Sequence, residues 1–158
     1  MGVSGKLLRL ALGLAVLTAL LAARGAFARE AEYVGAATCG GCHEKEYANY
    51  TKYSKKAHSG NSVKIMARKL AADELKECFH CHVTGYGKPG GFVSFEKTPD
   101  MANAGCEVCH GPGSAHVEAG GTKSLIKRKL TVQDCEVCHN AERVANFNFK
   151  PMIFGGAH

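Results

Sequence analysis

Cys39-Gly40-Gly41-Cys42-His43 is a string that the chain spells three more times, as Cys78-Phe79-His80-Cys81-His82, Cys106-Glu107-Val108-Cys109-His110 and Cys135-Glu136-Val137-Cys138-His139. Each is C-x-x-C-H, and the four together use all 8 cysteines of the chain. This is the attachment signature of a c-type haem. Two thiols three residues apart lie on one face of a helical turn and can bond covalently to the two vinyl groups of one porphyrin. The next histidine then turns a ring nitrogen to the iron as the proximal axial ligand. Four C-x-x-C pairs by themselves would also describe two tetrathiolate zinc sites, or thioredoxin-like disulfides. Neither needs a histidine after every pair. With 8 His in 158 residues, chance would put one after all four pairs about once in 100,000. The cofactor expectation is therefore four covalently bound haem c groups, on Cys39 and Cys42, Cys78 and Cys81, Cys106 and Cys109, and Cys135 and Cys138, with His43, His82, His110 and His139 as iron ligands.

The N-terminal stretch fits the chemistry of attachment. Lys6 and Arg9 precede an apolar run from Leu10 to Ala23, and Ala26 and Ala28 are small residues three and one before a cut ahead of Arg29. This reads as a secretory signal peptide over residues 1–28, because the 14-residue run is short against the roughly 20 apolar residues a bilayer span requires. The expectation is an exported, periplasmic protein with no stable membrane insertion after cleavage, a cell-surface destination being the other outcome of export. A tetrahaem domain then occupies residues 29–158. That length leaves about 32 residues per haem, too few to bury four porphyrins separately. The haems must share walls and form most of the apolar core, with short helices and long irregular loops around them. The expected fold class is mainly α.

Charge excludes one large class of partner. The formal charge of +6 includes Lys6, Arg9 and Arg24 of the signal segment, and haem propionates offset most of the remainder. Interleaved aromatic and basic residues of the kind that bind nucleic acid are lacking, so no nucleic-acid partner is expected. No proton-abstracting dyad or nucleophile–base pair is recognisable, which argues against hydrolysis or group transfer.

Between the motifs, Glu44 to Tyr53 reads as a helix. Asn61-Ser62 is placed to cap a second helix running through Val63, Ile65, Met66, Leu70 and Leu75 to Cys78. Gly85 to Gly91 reads as a loop, Phe92 to Phe95 as a short strand, and Thr98-Pro99 as the start of the helix carrying Cys106. Gly111-Pro112-Gly113 stops that helix, and Ser114 is placed to cap a short one bearing His116. Thr131 and Asp134 have the spacing of a capping box just before Cys135. The repeated C-E-V-C-H at 106 and 135 is explained by convergence on haem attachment, with internal duplication the lesser alternative.

Four histidines lie outside the motif positions: His58, His80, His116 and His158. A second histidine on the far face makes an iron six-coordinate, low-spin and low in potential, whereas an open face admits a small ligand. Methionine is the other ligand type; Met66 falls on an apparent core stripe, while Met101 and Met152 stay open. For each spare histidine the alternative is a surface or propionate-contacting residue.

Tyr33-Val34-Gly35 before the first motif, Lys55-Lys56-Ala57-His58, Cys81-His82-Val83-Thr84-Gly85-Tyr86-Gly87, and Gly105 through Cys106-Glu-Val-Cys109-His110-Gly111-Pro112-Gly113-Ser114-Ala115-His116 together resemble the tetrahaem cytochrome c-554 family. The resemblance implies a mostly helical fold with haems in near-parallel and near-perpendicular contacts. It implies His116 as distal ligand to the haem on His43, His58 to that on His110, and His158, after the Phe147 to Phe154 run, to that on His139. It leaves the iron on His82 open. His80, between the second pair of cysteines, has no counterpart in that pattern, and either ligates a neighbouring haem or contacts a propionate. His158 has a further option, reaching a haem of another subunit to link a dimer or filament.

The expected function is electron transfer between redox partner proteins. The basic runs Lys123, Lys127, Arg128, Lys129 and Lys52, Lys55, Lys56 are either solvated faces or steering surfaces for an acidic partner. Two other readings accompany it: an oxidoreductase acting on nitrite, nitric oxide or hydroxylamine at an open haem, and a subunit of a haem filament or respiratory complex.

Overall fold

The computed structural model describes residues 30–140. The signal segment 1–28, Met152, the Phe147 to Phe154 run and His158 lie outside the described residues. Within them the order is α1 (Ala36–Gly40), α2 (Glu44–Tyr53), α3 (Ser59–Met66), α4 (Ala72–His82), α5 (Cys106–His110), α6 (Ser114–Glu118) and α7 (Val132–Glu136). Single 3-10 turns sit at Lys55–His58, Ala67–Lys69, Pro99–Met101 and Lys123–Leu125. The fold is mainly helical, with no strand among the described residues.

α2 forms where expected, with Glu44 and Glu46 in its first turn and Lys52 in its last, each opposite in sign to the nearer end of the helix dipole. It buries Tyr50, whose hydroxyl donates to the Ala104 carbonyl at 3.2 Å. The second helix departs from expectation, being two helices rather than one. α3 starts at Ser59, ahead of Asn61, and ends at Met66. Leu70 and Ala71 are extended, with ψ of 145° and 157°, before α4 begins. The Ala71 N–H donates to the Glu74 carboxylate at 2.8 Å, which caps α4 independently and makes the break affordable. Met66 is not core. It is 47% exposed and Ile65 73% exposed.

The polypeptide core is small. Val83, Phe92, Met101 and Ala102 are buried together, with Tyr33, Phe79, Tyr86 and Phe95 packed around them. The Phe79 ring lies 5.0 Å from Phe92, 5.1 Å from Tyr86 and 6.2 Å from Phe95, all inclined, as aromatic quadrupoles prefer. Two backbone bonds draw the loops in, Thr84 N–H to Met101 O at 2.9 Å and Phe92 N–H to Thr84 O at 2.8 Å. Phe92 to Phe95 is not the expected strand. Val93 N–H donates to the Thr98 hydroxyl at 2.8 Å, and that hydroxyl donates to Ser94 O at 3.2 Å, so a local turn takes the bonds a ladder would need. Pro99 likewise starts only a 3-10 turn, and α5 begins separately at Cys106. Ser114 lies inside α6 rather than capping it; its hydroxyl accepts from Glu32 N–H at 2.8 Å. Thr131 and Asp134 do close the start of α7, Thr131 N–H donating to the carboxylate at 2.8 Å.

Candidate haem-attachment sites

Each motif sits on or against a helical turn, as vinyl attachment requires. Cys39 is in α1 and His43 follows it, bonded back from its N–H to Cys39 O at 2.9 Å. The second motif closes α4, the third is α5 in its entirety, and the fourth runs from α7 into a turn in which His139 N–H donates to Cys135 O at 2.8 Å. No two of the eight cysteines are joined in a disulfide.

The histidine rings are oriented as metal ligands are. A ligating imidazole usually donates its other ring N–H to a carbonyl or carboxylate, which fixes tautomer and orientation and raises ligand basicity. His82 Nδ1 faces Ser59 O at 3.2 Å, His110 Nδ1 faces Lys127 O at 2.6 Å, and His116 Nδ1 faces Thr122 O at 3.0 Å. Each bond occupies Nδ1 and leaves Nε2 for a metal. Three histidines from different parts of the chain share this arrangement.

His43 and His116 form a pair. Their ring centres are 6.4 Å apart with planes 18° from parallel. Two imidazoles bound at about 2.0–2.1 Å on opposite sides of one metal, with each ring centre roughly 1.1 Å beyond its nitrogen, give a separation of about 6.3 Å. The spacing suits one iron between them.

The other spare histidines are placed differently. His58 is exposed on the 3-10 turn before α3 and lines a cavity of about 200 Å³ with Ala36, Tyr47, Tyr50, Asn103 and Gly105. That cavity opens between the segments leading to the first and third motifs. His80 is exposed on α4 and meets the Tyr86 ring edge-on at 5.5 Å.

Thiols of different motifs approach one another. Cys39 and Cys106 are within hydrogen-bonding reach, as are Cys81 and Cys138. The Cys106 hydrogen bond, then burial, pushes the Cys39 thiol up, and that same bond lowers Cys106. Burial raises Cys109 and Cys135, and burial followed by contact with Cys81 pushes Cys138 up to about 12. Burial, then the charge of Lys56, lowers His139 and favours the neutral ring that ligates a metal. Among the described residues no group of three or more His, Cys, Asp or Glu is gathered to hold a bare ion. Exposed apolar side chains flank the motifs, Val117 beside His116 and Val137 inside the fourth string, and give a porphyrin face something to pack on. The residues fit covalent haem.

Two features had no sequence signal. The bond partners of the imidazoles are carbonyls, which every residue has, so Ser59, Thr122 and Lys127 could not be chosen by type. Glu107 is the second: it is 2% exposed and accepts three backbone N–H bonds, while Glu136, in an identical pentapeptide, is exposed.

Comparison with known proteins agrees with this chemistry. The family model described as cytochrome c554 and c-prime matches residues 38–111, a range that contains the first three motifs. Cytochrome c-554 of Nitrosomonas europaea is 33% identical over a stretch covering 54% of this chain and 41% of that protein, so the chain spans about two fifths of the curated relative it matches. The solved structure of reduced cytochrome c554 from Nitrosomonas europaea superposes with a TM-score of 0.57 at 23% identity, over 81% of this chain and 85% of that one, and shows the shared fold.

Proposed function

We propose that the protein is a c-type cytochrome of the tetrahaem c-554 family, with covalently bound haem c, and that it relays electrons in the periplasm between redox partner proteins. The observation that carries the reading is the His43–His116 pair, 6.4 Å apart, together with the three imidazoles whose Nδ1 is tied to a carbonyl. When bound, each haem supplies an iron that cycles between ferrous and ferric states.

The chain's own residues hold the haems and fix their ligands for electron transfer. Cys39, Cys42, Cys78, Cys81, Cys106, Cys109, Cys135 and Cys138 hold the porphyrins. His43, His82, His110 and His139 ligate from the proximal side, and His116 and His58 close the far faces toward His43 and His110. His158 takes the same role for His139 as an expectation from the resemblance, outside the described residues. His80 sits edge-on against Tyr86, and the family resemblance leaves the iron on His82 without a second ligand. The carbonyls of Ser59, Thr122 and Lys127 hold three of these rings against rotation, which keeps ligand geometry nearly constant as charge changes. The Cys39–Cys106 and Cys81–Cys138 contacts bring the first motif against the third and the second against the fourth. Such neighbours are what short-range transfer through four sites needs. Export follows from the 1–28 segment, and no helix of the described residues is long and apolar enough to cross a membrane.

The test is haem quantification and electron paramagnetic resonance on the exported, fully ferric protein. Four haems per chain are expected, with high-spin iron near one haem in four and a second high-spin equivalent appearing in His116→Ala. Fewer than four haems, or a His116→Ala spectrum identical to the parent, would overturn the assignment. An absence of high-spin iron in the parent would instead make His80 or a methionine the missing ligand.

A further inference from the structure

Glu107 is the only charged side chain among the described residues that is buried. One of its carboxylate oxygens accepts Val34 N–H at 2.9 Å and Gly113 N–H at 2.8 Å, and the other accepts Gly35 N–H at 2.8 Å. The positions of these donors give the contact its meaning. Val34 and Gly35 lead directly into α1, after which His43 follows, and Gly113 leads directly into α6, which carries His116. A single carboxylate therefore joins the entry points of the two segments that bear the paired imidazoles. Ser114 N–H to Glu32 O at 3.1 Å and Glu32 N–H to the Ser114 hydroxyl at 2.8 Å knit the same junction from the other side.

The local backbone is shaped to this carboxylate. Gly35 has φ +86°, a left-handed conformation that turns its N–H inward at low cost only in glycine. A Cβ on Gly113 would lie 3.1 Å from the Glu107 oxygen and 3.2 Å from Val34 Cγ2, tighter than side chains normally pack. Bonds from backbone N–H to an ionised acceptor are roughly twice as strong as neutral ones. Three of them converge on one side chain.

We propose that Glu107 is a positioning residue: from inside the third motif its carboxylate sets the separation of His43 and His116, so the axial geometry of the first haem depends on a residue of the third attachment string. This rests on the assignment of His43 and His116 as ligands of one iron. The dependence also gives the first and third haems a shared mechanical element, because displacing α5 moves the junction that spaces the first pair.

Glu107→Gln in the haem-loaded protein tests it. The amide keeps the shape but offers one acceptor oxygen, and its NH2 group faces a backbone N–H, so at least one of the three bonds is lost. With haem content unchanged, one low-spin ferric signal is expected to shift its g values or convert to high spin, amounting to about one haem in four. Glu136→Gln, at the matching position of the fourth motif, leaves the spectrum unchanged. Gly113→Ala keeps the carboxylate but crowds it, and produces the same spectral change to a smaller extent. A Glu107→Gln spectrum superimposable on the parent at full haem content overturns the proposal; if that variant does not load four haems, an unchanged Gly113→Ala spectrum does so. His116→Ala run beside them separates the two failures. Loss of its effect removes the ligand pairing itself, whereas a normal His116→Ala effect with a silent Glu107→Gln removes only the positioning role.

Discussion

Ser59 and Gly60 occupy a crowded junction of the described chain. The Ser59 hydroxyl donates to His82 O at 2.7 Å and accepts Ala104 N–H at 2.9 Å, while its carbonyl meets His82 Nδ1. Gly60 N–H donates to Asn103 Oδ1 at 3.0 Å, and a Cβ there would stand 1.9 Å from the Ala102 carbonyl oxygen. Backbone cannot yield as a side-chain tip can, so Gly60→Ala forces α3 away from the Ala102–Ala104 segment and drags Ser59 off His82. A loss of about 1–3 kcal/mol is expected, in the range of overpacked cores, read as a lower denaturant midpoint. A second mark is an altered absorption or resonance signal from the haem on His82, which a fold defect elsewhere would not produce. A midpoint matching the parent would show that the junction is looser than its distances imply.

At the scale of elements, the segment Thr122 to Lys127 acts as a strap. It receives His116 Nδ1 at one end and His110 Nδ1 at the other, and Lys127 N–H returns a bond to His110 O at 3.1 Å. Its far end is anchored by an ion pair between Lys127 and Asp134, the residue that also caps α7. The Lys127 hydrogen bond, then the Thr131 N–H, holds the Asp134 carboxyl below its ordinary value of 3.8. A carboxyl with a depressed folded-state pKa contributes stability that is full above its unfolded pKa and is lost as pH falls through the folded one. Asp134→Asn is therefore expected to lower the thermal midpoint near neutral pH, and the difference from the parent is expected to vanish as pH drops below the carboxyl range. A gap that persists in acid would assign the effect to packing rather than to the charge.

Across the whole molecule, apolar burial by the chain itself is sparse. Among the described residues the buried hydrophobics are Tyr50, Val63, Val83, Phe92, Met101, Ala102 and Ala104. Ile65, Tyr53, Val93 and Val137 are each at least 60% exposed. So few buried apolar side chains make haem attachment the expected source of further apolar burial. The chain produced without haem attachment is expected to lack a cooperative thermal transition and to show collapsed amide dispersion, whereas the haem-loaded form melts sharply. A cooperatively folded haem-free chain would show that the polypeptide core suffices.

Covalent chemistry was legible in the residues alone. C-x-x-C-H points to attachment and to an adjacent histidine ligand through spacing along a few bonds, so the expectation for Cys106 to His110 does not depend on where the string is placed. The mainly helical class followed from the same arithmetic of few residues per haem, and α2 and the Thr131–Asp134 cap from local pattern. What tertiary structure decided is whatever depends on distance between remote segments. The helix break at Leu70 and Ala71 and the missing strand at Phe92 to Phe95 arose because nearby side chains took the backbone bonds that propensity had assigned to helix or ladder. The proximity of His43 to His116, the carbonyls chosen by His82, His110 and His116, and the edge-on seat of His80 have no local code. Glu107 and Glu136 make the point most directly: the same five letters surround both, and only the arrival of Val34, Gly35 and Gly113 at one of them turns a surface carboxylate into a buried, triply bonded anchor.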